Sequence, residues 1–402
     1  MTDPLTRFPA NRTAALERLQ TFLPHAGRTY AARRNYDLGR DQHLHVSQLS
    51  PYIRCRLLTE EEVLKTVLAR FSPTSAEKFI QEVFWRTYWK GWLEMRPGVW
   101  SDYQIGLSQA LNDLQTQGGM RQRWQDACAG QTDIAAFDAW SQELVETGYM
   151  HNHARMWFAS IWIFTLGLPW QLGADFFLRH LLDGDPASNT LGWRWVAGIQ
   201  TRGKTYLARA SNIEKYTEGR FASPRGLADI APPLEAASPP DRQPIAAPDA
   251  PPQTGRIGLI LHDDDLSPAF ALDQMPSVAG TFVLTTRDQL SPLSPAAHVT
   301  AFSQAAAQDC TARYADRLGT IARGQTVEEL LEWAQGFDHI ATPYAPTGPN
   351  ADILARVAQD RSVTRLQRDY DAAAWPYANA GFFKFKAKIP TLIGQMQGLS
   401  AA

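Results

Sequence analysis

The residues best suited to chemistry lie in the stretch 148–195, which begins GYMHNHARM and ends DGDPASNTLGWRW. In the first piece, Asn152, Arg155 and Met156 are spaced i, i+3 and i+4, which places them on one face of a predicted helix. Asp183 in the second piece can pair with Arg155 across the fold, and a buried pair of this kind usually positions something. A Trp-rich helical core with a satisfied ion pair is the alternative interpretation of the same residues.

A second set of reactive residues lies in 76–96, AEKFIQEVFWRTYWKGWLEMR, which predicts a strongly aromatic helix. Glu82, Trp85, Arg86 and Trp89 fall at i, i+3, i+4 and i+7 and form one stripe. A core-facing stripe with an intrahelical Glu–Arg pair would explain this pattern. However, charged residues at the centre of a core stripe need partners, so the stripe also fits a binding site.

The run HVSQLSPYIR predicts a helix start, because Ser50 is a good N-cap and Pro51 suits the first helical position. Free N–H groups and a positive dipole end at such a start suit a phosphate. Thr59 and Glu62 predict a capping box for the next helix.

These stretches together resemble the DNA photolyase/cryptochrome family. GYMHNHARM followed by DGDPASNTLGWRW is similar to the family's flavin-binding domain, and FWRTYW follows its ELxWREFY signature. HVSQLSPY matches the family's TSRLSPY run, with Val46 and Gln48 in place of its Thr and Arg. The resemblance implies a bent FAD held in an all-helical domain.

The same resemblance implies which residues hold the FAD. Arg155 and Asp183 are expected beside the isoalloxazine ring, where a cation stabilises a reduced, anionic flavin. Asn189 is expected to face the flavin N5, a position that is Asn in photolyases and Asp in many cryptochromes. The full implied set for the cofactor is Tyr36, Ser47, Gln48, Leu49, Ser50, Arg86, Asn152, Arg155, Asp183, Asp185 and Asn189.

The resemblance also implies a substrate, a flipped-out cyclobutane pyrimidine dimer in damaged DNA. The motif is MHN, which differs from the MHH type of photolyases that act on pyrimidine–pyrimidone lesions. Flat indole faces can stack on the extruded bases, and Glu and Asn can hydrogen-bond their edges. The implied substrate residues are Arg40, at a position that faces DNA phosphate in the family, and Glu82, Trp85, Asn152, Met156 and Trp195.

The implied activity is that of a deoxyribodipyrimidine photolyase-type lyase. Light drives an electron from reduced FAD into the dimer, the dimer splits and the electron returns, with no metal required. The residues implied in this chemistry are Glu82, Asn189, Trp170 and Trp193, the last as the member of a tryptophan electron chain nearest the flavin. The third member has no clear match; Trp100, Trp157 and Trp162 are substitutes for which core packing is the simpler role.

Composition favours a soluble globular protein: 402 residues, 44% hydrophobic, 20% charged, with a net charge of −2. A nucleic-acid partner would therefore need a local basic face. The three cysteines, Cys55, Cys128 and Cys310, show no CxxC spacing, which argues against a zinc site and excludes a four-Cys iron–sulfur cluster within one chain. Without a signal peptide or long apolar run, we expect no membrane segment and a cytoplasmic location.

The chain divides at a run rich in proline, with nine of the 26 prolines between positions 224 and 252. We predict a helical FAD-binding domain at 1–222, a flexible linker at 223–254 and a small α/β domain with a Rossmann-like parallel sheet at 255–402. GRIGLILHDDD, GTFVLTT and FDHIATPYAP predict strands. HDDDLSPAFAL and WPYANAGFFKFKAKIP resemble the two ends of the family's antenna domain, so the chain would be circularly permuted.

Three functions fit these features. The first is light-driven dimer repair by a monomer. The second is a cryptochrome-like blue-light photoreceptor that signals through a protein partner. The third is a flavin-free helical DNA-binding or structural protein. No glycine-rich phosphate loop lies in the C-terminal domain, and an antenna chromophore there is left open.

Overall fold

The computed structural model describes residues 4–222 and 224–396, and the first part of this range is helical. Its α-helices are α1 (Pro4–Arg7), α2 (Arg12–Phe22), α3 (Arg28–Arg33), α4 (Ser50–Arg54), α5 (Glu60–Leu68), α6 (Glu77–Glu94), α7 (Gly98–Thr116), α8 (Gly118–Ala129), α9 (Ala135–Thr147), α10 (Asn152–Ser160), α11 (Trp170–His180), α12 (Pro186–Val196) and α13 (Ala210–Tyr216). A π-helical segment, Ile161–Thr165, extends α10.

Local signals set the ends of the helices that matter for the site. The predicted capping box is present at α5, where Thr59 accepts from the Glu62 N–H and Glu62 accepts from the Thr59 N–H. The predicted helix that carries Asn152, Arg155 and Met156 is α10, which begins at Asn152, and the His151 imidazole accepts from the His153 N–H. Helix α9 ends at Gly148, whose φ of 68° suits a glycine.

The predicted N-cap role of Ser50 is wrong by one residue. Helix α4 already includes Ser50, its N-cap is Leu49, and no side chain caps it. The reason is backbone geometry: Gln48 takes a left-handed conformation with φ 51°, and Leu49 is already helical. Ser47 accepts from the Leu49 N–H instead, at 3.4 Å.

The C-terminal part alternates strands and helices as predicted. The strands are β1 (Ile257–His262), β2 (Gly280–Leu284), β3 (Thr320–Gly324), β4 (His339–Pro343) and β5 (Val363–Leu366), and the helices are α14 (Ala269–Leu272), α15 (Ala297–Arg313), α16 (Val327–Ala334), α17 (Pro349–Asp360), α18 (Asp369–Ala374), α19 (Phe382–Lys386) and α20 (Ile389–Gln395). The five strands are all parallel, in the order β3-β2-β1-β4-β5. The mainly α fold class with a small parallel α/β unit is confirmed.

The proline-rich stretch has no helix or strand between Tyr216 and Ile257 in the described residues. Hydrogen bonds nevertheless tie it to both parts of the molecule. The Leu234 N–H donates to Ala197 O at 3.0 Å, the Gln243 N–H donates to Met95 O at 2.8 Å, and Asp249 accepts from the Arg365 N–H at 2.8 Å. Polar groups of the extended chain thus have partners on both parts, and the flexibility predicted for the linker stays a prediction.

The core is continuous across the two parts. One cluster of buried side chains joins the helices to one face of the sheet, and Tyr52 of α4 packs against Phe302 of α15. A second cluster, with Ile260 and Phe282 at its centre, fills the space between the other face of the sheet and α16 and α17. Among the described residues, no helix combines the length and apolar character that crossing a membrane requires.

Candidate functional site

Arg155 and Asp183 form the ion pair that the sequence predicts. Arg155 lies on the first turn of α10 and donates from Nη2 to Asp183 Oδ2 at 2.8 Å. Its Nε donates to Met150 O at 2.9 Å, and the guanidinium lies 5.8 Å from the centre of the Tyr149 ring. The Asp183 side chain is 5% exposed and that of Arg155 23%. The guanidinium of Arg155 is thus more exposed than the carboxylate of Asp183. The pair therefore presents positive charge to the space beside Arg155.

The loop that carries Asp183 also carries Asp185, whose charge is already used within the protein. Asp185 caps α12 by accepting from the Ser188 N–H at 2.9 Å and pairs with Lys90 at 3.0 Å. Burial alone would raise the pKa of Asp185, but Lys90, Arg86 and the cap lower it well below its usual range. Asp185 therefore fixes the start of α12, and its predicted contact with a cofactor stays a prediction.

Arg86 likewise has protein partners. Its Nε donates to Glu60 at 3.0 Å, its Nη2 donates to Arg54 O at 3.2 Å, and Asp185 lies 3.9 Å away. Lys90, one turn later on α6, is a residue that the sequence interpretation missed. The signal was available, because Lys90 continues the Glu82–Arg86 row at the i+4 spacing.

The two asparagines differ in their surroundings. Asn152 is the exposed first residue of α10, on the same face as Arg155 and the half-buried Met156. Asn189 lies in α12 and is 9% exposed, and its Nδ2 donates to Ala174 O of α11 at 2.8 Å. This bond fixes the plane of the Asn189 amide before any ligand binds.

Arg7, a cation from a distant part of the sequence, lies beside the SQLS segment at residues 47–50. Gln48, which stands where the resemblance expects Arg, donates to His43 O at 3.2 Å. Arg7 of α1 donates from Nη2 to Gln48 Oε1 at 3.4 Å and to Arg40 O. Sequence patterns could not reveal Arg7, because it precedes Gln48 by about forty residues and carries no motif.

Three of the predicted substrate residues, Glu82, Trp85 and Trp195, have partners within the protein. Glu82 pairs with Arg34, and burial raises the pKa of Glu82 although Arg34 opposes the shift. Trp85 stacks on Phe382 of α19, with ring centres 3.5 Å apart and planes 11° apart. Trp195 lies 5.7 Å from the ring of Tyr206.

The remaining predicted binding residues have partners of their own. Trp85 and Trp195 share no ring contact among the described residues. Arg40 pairs with Glu146, and the Tyr36 ring lies between Arg33 and the Tyr216 ring. A common hollow walled by both indoles therefore stays a prediction.

The two predicted electron-chain tryptophans are buried, and Trp162 contacts the ring of Trp193 and the backbone of the residue before Trp170. Trp193 lies 6.1 Å from the ring of Trp162, whose Nε1 donates to Pro169 O, next to Trp170. Trp170 lies 5.7 Å from the ring of Tyr103. No direct ring contact joins Trp170 to Trp193 in the described part of the chain.

The other two substitutes, Trp100 and Trp157, are 2% and 0% exposed. Trp100 packs on Tyr103, and Trp157 stacks on Trp140 and His153. Core packing thus accounts for the contacts of Trp100 and Trp157.

Asp37, His43 and Glu143 form a buried polar cluster that was not predicted from the sequence. His43 Nε2 lies 2.7 Å from Glu143, and oxygen and nitrogen atoms of Asp37, His43 and Glu143 lie within 4.8 Å of one another. Such a set could hold a metal ion, but Arg220 and Trp140 each donate to Asp37 at 2.7 Å. Because Arg220 already supplies positive charge there, the cluster is a hydrogen-bonded network rather than an open metal centre.

Unpartnered buried polar atoms indicate whether a polar ligand fits this region. Asp183 Oδ1, Trp193 Nε1 and His151 Nε2 are buried and have no hydrogen-bond partner. They lie on the loop before α12, on α12 itself and at the start of α10, the same part of the chain that carries the predicted cofactor residues. Native proteins rarely leave such atoms unpaired, so these residues fit a bound group that is rich in donors and acceptors.

Comparison with known proteins identifies the same region. Residues 79–221 match the family described as the FAD binding domain of DNA photolyase. A deoxyribodipyrimidine photo-lyase of Alkalihalophilus pseudofirmus is 31% identical over 194 residues, which are 48% of this chain and 39% of that protein. A cryptochrome DASH of Idiomarina loihiensis is 28% identical over 216 residues, 52% of this chain and 46% of that protein.

A solved bacterial class III photolyase from Agrobacterium tumefaciens aligns with a TM-score of 0.43 and 24% identity, covering 52% of this chain and 43% of its own. The chain spans less than half the length of the curated relatives reported above. The family match covers α6 to α13, including the Arg155–Asp183 pair and the loop before α12. Through residues 79–221, the chain is similar to the DNA photolyase/cryptochrome family.

Proposed function

We propose that the chain binds FAD and uses it for light-driven repair of cyclobutane pyrimidine dimers in DNA. The observation that carries this proposal is the Arg155–Asp183 pair, a partly exposed guanidinium on a buried carboxylate, which lies inside a region that matches a photolyase FAD binding domain. Relatives of the same region are named deoxyribodipyrimidine photo-lyases. Dimer splitting needs an electron donor that light activates, which reduced FAD would supply when bound, and the electron returns after the ring opens.

The residues of this chain have separate tasks in that proposal. Arg155 places a partly exposed guanidinium beside the flavin ring, where it favours negative charge. Asp183 holds Arg155 in place and keeps one unpaired oxygen for a donor on the ligand. Asn189 presents a fixed, neutral amide, which does not readily supply a proton to the ring.

The phosphate end of FAD would lie at residues 47–50. Gln48 has a left-handed backbone there, and Arg7 provides a half-buried guanidinium 3.4 Å from its side chain. Burial lowers the pKa of Arg7, although the nearby Glu143 and Asp41 carboxylates oppose this shift. A diphosphate would offer Arg7 a stronger partner than Asp41, which lies 3.6 Å away and is 83% exposed.

DNA would approach the face that carries Asn152, Met156 and Trp85, with Arg40 toward a phosphate. In this proposal Glu82 accepts hydrogen bonds from the exposed edge of a flipped base, and the indoles of Trp85 and Trp195 supply stacking surfaces. Stacking on an aromatic side chain contributes about 1–3 kcal/mol per base. Repair in this form splits two carbon–carbon bonds of the dimer and consumes no reductant over the full cycle.

The test starts with the absorption spectrum of the purified protein, in which we expect bound flavin. Illumination with blue light in the presence of an oligonucleotide that contains a thymine dimer should then restore the intact thymines. Asp183→Asn should weaken FAD binding by about 10- to 100-fold, because a charged hydrogen bond of about 1.5–3 kcal/mol is lost. Asp175→Asn is the matched control, since Asp175 is a buried carboxylate of α11 whose ion pair is with Arg179 of the same helix.

The outcomes separate the parts of the proposal. A colourless protein that cannot be reconstituted with FAD would rule out the flavin. A yellow protein that leaves the dimer intact in blue light would rule out repair. Equal loss of FAD in Asp183→Asn and Asp175→Asn would mean that Asp183 acts only through stability.

A second function, blue-light sensing through a protein partner, is favoured by one contact. Phe382 of the C-terminal part covers one face of Trp85, so a base that stacks on that face must displace it. A cryptochrome DASH is also among the relatives. A flavin that photoreduces normally while dimer repair is absent would support sensing over repair.

For the rest of the molecule we propose a monomer in the cytoplasm with damaged DNA as its partner. Sedimentation with and without DNA tests the first and last of these proposals. The α/β part would then act beside the flavin domain, with or without a light-harvesting chromophore of its own.

A further inference from the structure

The loop between α11 and α12 is held by a side chain from the α/β part of the molecule. Arg287 lies in a 3₁₀ turn, Arg287–Gln289, that follows β2. It donates from Nη2 to Leu181 O at 2.9 Å and from Nη1 to Gly184 O. These two carbonyls flank Asp183, so a single guanidinium spans the short segment that carries the carboxylate partner of Arg155.

Arg287 is an unusual cation because its hydrogen bonds go to the backbone. It is 4% exposed, and among the described residues no carboxylate lies within ion-pair distance of its guanidinium. Burial and the neighbouring charge of Arg54 lower the pKa of Arg287 to about 9, which still leaves it charged at neutral pH. Burying a charge costs free energy. The two hydrogen bonds to backbone carbonyls offset part of that cost.

A second arginine reaches the same loop from the helical side. Arg54 of α4 donates from Nε to Gly184 O at 3.1 Å and pairs with Asp264 at 3.1 Å. Asp264 follows β1, and Asn350 at the start of α17 donates to both Asp263 and Asp264 at 2.8 Å. The Gly184 carbonyl is therefore fixed by two guanidinium groups, one from each part of the chain.

This arrangement uses the place where α/β sheets commonly bind ligands. In open parallel sheets that place is the crevice at the carboxyl ends of the strands where the strand order reverses. Here β1 and β4 meet at that point, and Arg54 of the helical part pairs with the carboxylate of Asp264 and donates to the backbone carbonyl of Asp263, both just after β1. In this protein, residues at the crevice therefore form contacts between the α/β part and the helical part.

We infer that Arg287 is a positioning residue for Asp183, through which the α/β part shapes the flavin site. The chain of contacts runs from Arg287 to the carbonyls of Leu181 and Gly184, then to Asp183 and Arg155. Its effect on flavin rests on the proposed function, but its effect on the loop does not. The α/β part therefore supports the flavin site directly, whether or not it carries a chromophore.

The experiment compares Arg287→Gln, Arg287→Lys and the control Arg317→Gln in the full chain. Arg317 is an arginine of the same part, but it pairs with Asp273 at the surface, with side chains 39% and 66% exposed. Hydrogen exchange of the Leu182 and Gly184 amides, which donate to Gly148 O and Leu181 O, reports on the loop without flavin. Titration with FAD reports on the site, and circular dichroism reports on the overall fold.

For Arg287→Gln we expect exchange of both loop amides at least about tenfold faster and FAD binding about tenfold weaker, a loss of about 1.4 kcal/mol in each case. Arg287→Lys keeps the charge but cannot span both carbonyls, so it should fall between wild type and Arg287→Gln in both readouts. If Arg287→Gln does not fold, the comparison of Arg287→Lys with wild type decides.

Unchanged loop exchange in the folded Arg287 variants would overturn the inference, as would equal effects in Arg317→Gln. Faster loop exchange with unchanged FAD affinity would also overturn it, since the loop would then not control the site. If the wild-type chain binds no FAD, the proposed function fails, and the exchange measurement still decides whether Arg287 fixes the loop.

Discussion

At the scale of single residues, the site is organised by charges that already have partners. Arg155 is held by Asp183, Glu82 by Arg34, and Asp185 by Lys90. Such pairing orients side chains before a ligand arrives, which lowers the cost of binding. It also means that a residue with a ligand role can be confused with one that only supports its neighbour, so the variants must separate the two.

Glu82→Ala is the first such variant. If Glu82 hydrogen-bonds a flipped base, repair should fall about 10- to 100-fold, from the loss of about 1.5–3 kcal/mol in a charged hydrogen bond, while FAD stays bound. Quantum yield of repair and flavin stoichiometry measure the two effects. Arg34→Ala is the matched control, because it breaks the same ion pair and leaves the carboxylate in place. Loss of flavin from Glu82→Ala would show that Glu82 is structural.

Trp193→Phe tests the electron chain. We expect photoreduction of oxidised flavin to slow by at least about tenfold, equivalent to about 1.4 kcal/mol of barrier, because phenylalanine cannot replace the indole as an electron donor. Transient absorption after a blue flash measures the rate. Trp157→Phe should have little effect, since Trp157 stacks on Trp140 and His153. An unchanged rate in Trp193→Phe would remove that residue from the chain.

At the scale of elements, the packing of α11 against α12 decides where Trp193 lies. Gly173 of α11 faces the Trp193 ring so closely that a Cβ atom there would overlap it, and Trp162 Cε2 would lie 3.0 Å from the same atom. The absence of a side chain at position 173 therefore makes room for the indole. By contrast, Gly192 on α12 has open space around the position of a Cβ atom.

These two glycines give opposite predictions. Gly173→Ala should destabilise the fold by about 1–3 kcal/mol through overpacking, although alanine is the better helix former. Gly192→Ala should stabilise it by up to about 1 kcal/mol, because alanine has the higher helix propensity and nothing obstructs it. Urea unfolding measures both. A Gly173→Ala protein as stable as wild type would mean that the indole can move, and its photoreduction rate should then change.

At the scale of the whole molecule, buried charges join the helical part to the sheet. Arg56 is 3% exposed and binds Glu60 at 3.1 Å, Asp265 at 3.2 Å and Asp371 at 2.7 Å. Two of these carboxylates belong to the α/β part, and Glu60 also holds Arg86 of α6. Because the network is buried and its members depend on one another, the two parts should unfold together.

This network predicts a loss of stability in acid. Burial would raise the pKa of Glu60, but Arg56 and Arg86 lower it from 4.5 to about 2. A carboxyl group with a lowered pKa in the folded protein stabilises it above pH 4.5 and loses this contribution as the pH falls towards 2. The charge of Glu60 should therefore stabilise the folded protein at neutral pH, and this contribution should be lost as the pH falls towards 2.

Glu60→Gln should be less stable than wild type at pH 7 by at least about 3 kcal/mol, and the difference should shrink towards pH 2. Urea unfolding at several pH values measures this convergence. Glu17→Gln, on the exposed side of α2, is the control and should follow wild type at every pH. A constant difference between Glu60→Gln and wild type would show that the charge of Glu60 is unimportant.

Local sequence patterns were enough to predict several parts of the molecule. They include the capping box at Thr59, the helix that carries Asn152 and Arg155, the long helix that carries Glu82 and the pairing of Arg155 with Asp183. Each depends on residues close in the chain or on an ordered motif. Strands β3 and β5 were missed because they are short and largely unburied, so they lack the alternation or the buried run that identifies a strand.

The sequence alone thus determined that the chain has a helical and an α/β part, because hydrophobic periodicity distinguishes helices from strands. It also identified the central ion pair, because both of its residues lie in an ordered motif. Only the tertiary structure decided that Arg287 holds the loop of Asp183, that Phe382 covers Trp85 and that Arg7 lies beside Gln48. These contacts join residues that are about forty to three hundred positions apart. They depend on how the helices and the sheet pack against one another. A local sequence pattern does not indicate which distant side chain will contact a given residue.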